Sequence, residues 1–382
     1  MRVFFLLTLL LPCAFSKEYH PADSKAVLAA LKSARAGDII NIKAGVYNIE
    51  KSFSTENDGT AAKPIILRCS GEKGYAVLQT AAQVGFRIKN RYWIIEGIHI
   101  QGSETKTQAT VFMDGPGGCG NIKMTDCKIS GSALHGMKAA RSREVGVHNV
   151  YIENTELFDT AFTGFDLVSG DNWVLNSCYV HDYGKKKGIS YGIFLKGGGK
   201  NGIIENCFVD GKASSTTIGI SFGGGLTGTQ WLPLINGKIA PEHFEGIARN
   251  NIVVNSSDVA YHTNNASNCS FYNNLAWNCK NFQMQKSYPE DPLLMNNLIG
   301  GKYRGAQSKS SDNMNTVNEK WFVDPQKHDF RLSKEGVSQL KGKAKQTDNC
   351  HLDFFSTPRK DLFPGPVLPG AKKSTKWIDR RE

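Results

Sequence analysis

Short runs of alternating apolar and polar residues recur along most of the chain, and a polar pair interrupts each run. In one of them, Ile203-Ile204-Glu205 leads into Asn206-Cys207, and Phe208-Val209 follows. Alternation places successive side chains on opposite faces of a strand, so each run predicts two short strands joined by a turn. The same pattern occurs in the segments 93–100, 122–129, 150–157, 173–180, 246–253, 269–276 and 292–299.

These runs form an internal repeat. When they are aligned, the register positions are Gly97, Cys127, Thr155, Cys178, Cys207, Asn251, Asn274 and Asn297. The last three stand 23 residues apart, about the length of one coil of three strands. The repeat therefore predicts an all-β solenoid whose coils stack at the spacing of paired strands, about 4.8 Å. The high content of glycine, 39 residues, agrees with many turns.

The register column predicts what lies inside the turns. Asn side chains at a repeated turn can hydrogen-bond to the coils above and below. Cys127, Cys178 and Cys207 share this column, so we interpret them as small stacked side chains rather than a disulfide framework. A bond between Cys178 and Cys207, which lie in adjacent coils, stays open.

The two ends of the chain differ from the repeat. Residues 1–16 read as a signal peptide, with Arg2, an apolar stretch and a small-x-small cleavage site near Ser16, and they predict a secreted or periplasmic protein. Residues 24–36 predict a helix with Ser24 as its N-cap. We place the repeat domain at 17–335 and a partly disordered extension at 336–382, loosely ordered from about 365. Lys320–Pro325 and Asp329–Leu332 are expected to cover the last open coil edge.

One coil contains a long insertion, Leu226–Glu245. Insertions in solenoids usually cluster on the binding face. Trp231 in this segment is either a platform on which a sugar stacks or an anchor that holds the loop on the solenoid.

Lys196 is the best candidate for chemistry. It ends the strand-like run Gly192–Lys196 and precedes three glycines. In an alignment of the neighbouring runs, its outward column reads Asp114, Ala140, Val168, Lys196, Gly223, His262 and Gln285, and a parallel column contains Lys138, Asp166, Phe194, Ser221 and Ala260. Lys196 and His262 would then lie two coils apart, roughly 10 Å, with a sugar ring resting over Gly223 between them. The alternative is a solvated lysine at a strand end.

The net charge of the chain indicates which classes of molecule it can bind. The chain carries +11 at pH 7 and has a pI of about 9.1, which favours polyanions, and export makes an acidic polysaccharide a better partner than nucleic acid. A basic surface that serves only solubility is the alternative. No later apolar run is long enough to span a membrane. We expect a monomer.

These features fit β-elimination of a uronic-acid polysaccharide. A base removes the proton α to the sugar carboxylate, and a cation neutralises that carboxylate. We predict Lys196 as the base, His262, Tyr191 or Tyr261 as the acid, and a Ca²⁺ ion as one possible cation, with Asp166 and Asp182 as candidate ligands. The predicted substrate-binding residues are Tyr191, Gly223, Trp231, Glu245, Arg249 and Tyr261.

The helix of residues 24–36, followed by Gly37-Asp38-Ile39-Ile40 and Gly45-Val46-Tyr47, resembles the start of secreted right-handed parallel β-helix proteins. Over roughly residues 24–335 the chain is similar to polysaccharide lyases of that fold, most closely the chondroitinase B and alginate lyase group. The resemblance implies a single right-handed parallel β-helix with an N-terminal capping helix and an irregular C-terminal cap. It also implies the role of base for Lys196, through Leu195-Lys196-Gly197 and the strand that follows.

The sequence departs from that family at two places. Ile220–Gly223 lacks the arginine expected on the next coil, and Tyr191, Ile193 and Phe194 stand where the calcium-binding glutamates would be. Two other functions therefore stay open. One is a glycoside hydrolase on the same scaffold, which needs two carboxylates around the sugar. The other is a non-catalytic carbohydrate-binding or surface protein.

Overall fold

The computed structural model describes residues 16–71, 74–168, 170–213, 215–224, 227–285, 292–305 and 309–370. The described chain winds into a parallel β-helix with three long sheets, because successive coils place equivalent strands side by side. The predicted signal peptide up to residue 15 and the segment 371–382 lie outside the described residues.

Each complete coil contributes one strand to each of three parallel sheets, and sheet A has one further strand at each end. Sheet A comprises Glu18–Tyr19, Ile39–Lys43, Ile65–Ser70, Arg91–Glu96, Gly120–Thr125, His148–Glu153, Trp173–Asn176, Ile203–Glu205, Ile247–Arg249, Ser270–Tyr272, Leu293–Met295 and Lys309–Ser311. Sheet B comprises Gly45–Asn48, Ala76–Gln79, Ile98–Gln101, Lys128–Ser132, Glu156–Thr160, Tyr179–Val180, Phe208–Asp210, Ile252–Val254, Leu275–Trp277 and Leu298–Ile299. Sheet C comprises Phe53–Ser54, Val84–Ile88, Ala109–Asp114, His135–Ala140, Thr163–Val168, Ile189–Lys196, Thr216–Phe222, Val259–Thr263, Asn281–Met284 and Lys302–Gly305.

Smaller elements complete the fold. A short parallel sheet joins Gly199–Lys200, His243–Phe244 and Ala266–Ser267, and two antiparallel pairs join Leu234–Ile235 to Lys238–Ile239 and Phe322–Asp324 to Asp329–Leu332. The helices are Ser24–Ser33 and Lys334–Leu340, and the 3₁₀ turns are Glu319–Trp321 and Pro325–Lys327.

The predicted column of asparagines is confirmed and explains the polar pair of each repeat. The first member of a pair, such as Asn250 or Asn273, adopts a left-handed backbone conformation that asparagine tolerates well. The second member is buried and bonds along the column: the amide of Asn251 donates to Asn274 at 3.0 Å, and that of Asn274 donates to Asn297 at 3.0 Å. The buried ladder satisfies backbone N–H groups as well, because Asn274 Oδ1 also accepts from Asn251 N at 2.9 Å.

The cysteines of the same column pack as predicted. Cys127, Cys178 and Cys207 are buried within the register column, and all eight cysteines of the described chain are free thiols. The disulfide between Cys178 and Cys207 that the sequence left open is not formed. Burial raises the pKa of Cys127 to about 12, so this thiol is unreactive.

The N-terminal helix covers the first coil, with Val27, Ala30 and Leu31 buried against the core. The predicted N-cap was one residue late. Asp23 is the cap, and its carboxylate accepts from Ala26 N at 2.7 Å. The helix ends at Ser33 rather than at residue 36 because the chain turns to enter sheet A.

The chain beyond residue 315 covers the outer face of sheet B instead of the open coil edge, which corrects the prediction. Trp321, Phe322 and Phe330 pack there against Phe208 and the equivalent residues of later coils. The extension continues this layer, and Phe354, Phe363, Val367 and Leu368 are buried in it. The loose tail expected from about 365 therefore does not apply to residues 365–370. No helix among the described residues is long and apolar enough to cross a membrane.

Candidate functional site

Lys196 lies at the last position of its strand in sheet C, and its side chain points outward from the solenoid but is not solvated. Only 8% of the residue is exposed. The ammonium lies 3.3 Å from Asp166 Oδ1 and 4.3 Å from the centre of the Phe194 ring. The interpretation of Lys196 as a solvated strand-end lysine is therefore wrong.

Asp166 is the centre of a charged cluster. It occupies the strand before Lys196, paired with Phe194 on one side and Lys138 on the other, as the column alignment predicted for these three positions. The Lys138 ammonium hydrogen-bonds Asp166 Oδ2, and His135 Nδ1 lies 3.5 Å from the same atom. Burial alone would raise the pKa of Asp166, but the charges of Lys196 and Lys138 outweigh it and lower that pKa to about 2. Asp166 is therefore a carboxylate at any physiological pH.

A cleft of about 310 Å³ opens over this cluster. Its lining residues are Lys138, Ala140, Arg141, Val168, Lys196, Thr227, Gly228 and Trp231. Trp231 is 49% exposed, so a flat aromatic face stands beside three cationic side chains. None of the described residues that line the cleft has a carboxylate.

Arg141 fixes the strand end that carries Lys196. Its Nη1 donates to Gly197 O at 2.6 Å, and its Nε donates to Ser142 O at 2.9 Å. Burial lowers the pKa of Arg141, but the guanidinium keeps its charge at neutral pH. Arg141 thus adds positive charge to the cleft and orients the turn after Lys196.

The insertion forms one wall of the cleft because a buried carboxylate holds its base. Glu242 Oε2 accepts from Gly197 N at 3.0 Å, and Oε1 accepts from Thr227 N at 2.9 Å. Further along the insertion, Arg143 donates to the carbonyls of Gln230 and Thr229 at 3.2 and 3.3 Å. These contacts hold the segment that carries Trp231 at the cleft.

Tyr191 packs against Phe194, the aromatic residue that the Lys196 ammonium contacts. Its ring stacks on Phe194 with 3.9 Å between centroids and 10° between planes. Burial raises the pKa of the Tyr191 phenol to about 12, so the hydroxyl keeps its proton at neutral pH.

His262 is not where the sequence alignment placed it. It pairs with Ser221 rather than Gly223, a shift of two residues that preserves its outward direction but moves it into the column of Asp166 and Phe194. The sequence alignment placed Ala260 at that position, but Ala260 is buried in the core. The ring is 4% exposed, and Nδ1 lies 2.9 Å from Ser221 Oγ. Burial lowers the pKa of His262 to about 4, so at neutral pH it has no extra proton to donate.

Two other predicted residues have structural positions. Gly223 does not offer an open platform, since a Cβ there would lie 2.1 Å from Asn264 O; with φ of +70° it serves a tight turn. Tyr261 is fully buried, and its hydroxyl donates to Asn251 O at 2.9 Å and Leu275 O at 3.0 Å. Neither of these residues lines the cleft.

Glu245 and Arg249 lie away from the cleft, at sheet A. Glu245 is exposed in the turn that enters that sheet, with a left-handed backbone. Arg249 pairs with Glu205 at 2.7 Å and donates to Asn349 O at 2.6 Å, so it holds the C-terminal extension. Both were predicted to bind substrate because they lie on or just after the insertion in sequence.

The predicted calcium ligands are not brought together. Asp166 belongs to sheet C and is neutralised by lysines, whereas Asp182 follows a sheet B strand and lies 2.6 Å from His181 Nδ1. Ca²⁺ requires six to eight oxygen ligands, and the described residues contain no group of three or more His, Cys, Asp or Glu side chains that could hold a metal. The donor set around Asp166 does not fit the ion, because it presents two ammonium groups.

Sequence reasoning did not assign Lys138, Arg141 or Glu242 to the site. A signal existed for Lys138, which stands directly beside Asp166 in the predicted column. Arg141 and Glu242 lie in turns, where no periodicity indicates their direction.

The comparisons with known proteins agree with this architecture. Residues 109–225 match the family described as right handed beta helix region. The crystal structure of pectate lyase Pel9A aligns with a TM-score of 0.64 at 14% identity and covers 93% of this chain and 97% of its own. A rhamnogalacturonan lyase aligns with a TM-score of 0.62 at 16% identity, covering 85% of this chain and 98% of its own. An alginate lyase from Paenibacillus sp. str. FPU-7 aligns with a TM-score of 0.54 at 18% identity, covering 79% of this chain and 99% of its own.

No curated protein matches the sequence. At these identities the structural likeness defines the fold, and the chain is a right-handed parallel β-helix with an N-terminal capping helix, as the sequence predicted.

Proposed function

We propose that the protein is a secreted lyase that cleaves a uronic-acid polysaccharide by β-elimination, with Lys196 as the base. The observation that carries this proposal is the lining of the cleft. Three cationic side chains, Lys138, Arg141 and Lys196, and an exposed Trp231 surround the space, and none of its described lining residues carries a carboxylate. Such a lining attracts an anionic sugar and provides a face on which its ring can stack.

Each residue of the cleft has a separate role in the proposed elimination. Lys138 lies 25% exposed at the cleft and binds the sugar carboxylate, and the charge of Arg141 adds to its effect. As electrons move from the broken C–H bond toward this carboxylate, the cations stabilise the growing negative charge. Lys196 first releases its own ammonium proton to solvent and then takes the proton from the α carbon, while Lys138 and Arg141 keep their charges. The electron pair forms a double bond to the β carbon, and the glycosidic oxygen leaves with its bonding pair.

The leaving oxygen then needs a proton. Of the three acids predicted, Tyr261 is enclosed in the core and His262 is neutral at physiological pH. Tyr191 is also buried, with 6% exposed, and is not a lining residue of the cleft, but it retains its phenolic proton and stacks on the ring that Lys196 contacts. Tyr191 is therefore the donor we propose.

A glycoside hydrolase is less well supported because it needs two carboxyl groups that face the sugar. Two described carboxylates beside the cleft, Asp166 and Glu242, are both occupied. Asp166 is 2% exposed and balances two lysines, and Glu242 accepts backbone N–H groups with both oxygens.

The first experiment incubates the purified protein with polygalacturonate, alginate, rhamnogalacturonan and chondroitin sulfate. Ultraviolet absorbance of an unsaturated uronate and release of reducing ends are measured together. A lyase produces both signals. Reducing ends without absorbance would identify a hydrolase, and binding without either signal would identify a non-catalytic protein; both results would overturn the proposal.

Variants then test the lining. Lys138→Ala and Trp231→Ala should raise KM, about tenfold for the loss of a stacking face. Lys187, which is exposed outside the cleft, offers a matched control, and Lys187→Ala should leave KM unchanged.

A further inference from the structure

A second cavity, of about 940 Å³, lies at a different edge of the solenoid. It forms where sheet B strands end and the 3₁₀ turn Pro325–Lys327 packs beside them. Its lining residues are Asp210, Lys212, Ala213, Asn255, Trp277, Asn278, Pro325, Gln326 and His328. None of them also lines the cleft over Lys196. The volume is of the size that holds a ligand of several rings.

Polar groups of successive coils converge in this cavity. The amide of Asn278 donates to Asn255 Oδ1 at 2.8 Å, and the amide of Asn255 donates to Asp210 Oδ1 at 2.9 Å. The backbone N–H of Lys212 donates to the same oxygen at 3.1 Å. These contacts hold the Asp210 carboxylate through Oδ1, and its other oxygen, Oδ2, takes no part in them.

Several of these groups keep free hydrogen-bonding capacity. Within the described chain, Asp210 Oδ2 has no hydrogen bond, and His328 Nε2 lies 3.9 Å from it. Neither the indole N–H of Trp277 nor the side-chain amide of Gln326 is bonded to any described residue. The cavity thus offers an acceptor, an aromatic donor and an amide that a hydroxyl-rich ligand could satisfy.

The aromatic face is held in place. Trp277 is half-buried and makes T-shaped contacts with Phe322 at 5.8 Å and Phe330 at 6.1 Å. These contacts come from the layer that covers sheet B, so the indole is positioned by packing before any ligand arrives.

The lining of this cavity differs in net charge from that of the cleft over Lys196. Asp210 and Lys212 cancel each other, and burial lowers the pKa of His328, which leaves that ring neutral at pH 7. A polyanion gains nothing here, whereas an uncharged sugar can stack on the indole and bond to the carboxylate and amides.

We propose that this cavity is a non-catalytic binding site for a neutral saccharide unit. The inference does not depend on the proposed lyase activity. It would let the protein hold a neutral part of a polysaccharide while the cleft engages an acidic part.

Affinity electrophoresis tests the site in native gels that contain a galactan, an arabinogalactan, a glucomannan or a xylan. We expect at least one polymer to retard the protein, and Trp277→Ala to weaken that binding about tenfold or more. Asp210→Asn is the second variant. It keeps the oxygen that accepts from Asn255 but replaces Oδ2 with a donor, so it should weaken binding while the thermal unfolding midpoint stays unchanged.

Trp231→Ala is the control, since it removes an aromatic from the other cavity and should leave retardation intact. The proposal is overturned if none of the four polymers retards the protein or if both Trp277→Ala and Asp210→Asn bind as the wild type does. Loss of retardation in Trp231→Ala would place the binding in the cleft and would likewise overturn it.

Discussion

Replacing Asp166 by asparagine should destabilise the protein strongly although the two side chains have the same shape. The carboxylate is 2% exposed and stands between the ammonium groups of Lys138 and Lys196. Asparagine removes the negative charge and leaves two positive charges in a poorly solvated place. Such uncompensated buried charge is costly.

The magnitude follows from the titration of the carboxyl group. The pKa of Asp166 falls from its ordinary 3.8 to about 2 in the folded protein. At about 1.4 kcal/mol per unit, the charged form contributes roughly 2.5 kcal/mol to the free energy of unfolding at pH 7. Because the folded pKa is the lower one, this contribution is complete above pH 4 and is lost as pH falls toward 2. Desolvation of the remaining lysines adds to the cost, so we expect about 2–4 kcal/mol for Asp166→Asn.

Urea unfolding at pH 7 measures this cost, and a double-mutant cycle isolates its cause. Lys138→Met alone should also destabilise, but the double variant Asp166→Asn, Lys138→Met should lose at least about 1 kcal/mol less than the sum of the single changes. Asp159→Asn is the matched control. Asp159 pairs with Lys185 at the surface, with 39% of each side chain exposed, so its loss should cost under about 1 kcal/mol.

Either of two results would show that Asp166 does not balance the charge of its lysine neighbours. One is that Asp166→Asn costs no more than Asp159→Asn. The other is that the two changes in the cycle add without coupling, which would mean that Asp166 and Lys138 do not interact.

Three further predictions concern the scaffold. Asn274→Ala should cost about 3–5 kcal/mol in urea unfolding, because four buried hydrogen bonds end on that side chain. Glu242→Gln should speed proteolysis within the insertion and lower stability by about 1–2 kcal/mol, because an amide can accept only one of the two N–H groups. His243→Phe should stabilise the protein by about 2 kcal/mol more at pH 5 than at pH 8, because burial lowers the pKa of this histidine to about 3.

Each of the three has its own control. For Asn274→Ala the control is Asn278→Ala, which removes a single exposed contact and should lower the free energy of unfolding by less than about 1 kcal/mol. An equal loss of stability in the two variants would contradict the stabilising role of the buried asparagine ladder. Unchanged proteolysis in Glu242→Gln would show that the insertion is held elsewhere. For His243, the unfolded state gains a proton below about pH 6.5 while the folded state does not, so the native protein loses stability as pH falls. A benefit of the phenylalanine that does not depend on pH would refute this.

The sequence predicts the fold because the repeat is enforced at every coil. A one-residue slip would turn apolar side chains outward, so alternation fixes which residues face the core. The asparagine ladder is predictable for the same reason, since Asn251, Asn274 and Asn297 recur at a constant interval. The end caps are less predictable because the covering layer on sheet B has no periodic pattern.

The site residues are predictable from the sequence only where they occupy equivalent outward positions in successive coils of sheet C. Lys138, Asp166 and Phe194 come from coils of similar length, and their register was correct. His262 follows the long insertion, and alternation preserves direction but does not exclude a slip of two residues. Glu242 could not be assigned, because its position depends on how the insertion returns to the coil.

The role of Lys196 as the base is tested by measuring the formation of unsaturated uronate by Lys196→Ala on the best substrate of the wild type. We expect the rate to fall by about 10²–10⁴-fold, and Lys196→Arg to stay equally slow because a guanidinium does not give up its proton. Lys187→Ala should keep full activity. Undiminished uronate formation by Lys196→Ala, with the variant folded as the wild type is, would contradict the central claim that this lysine is the base.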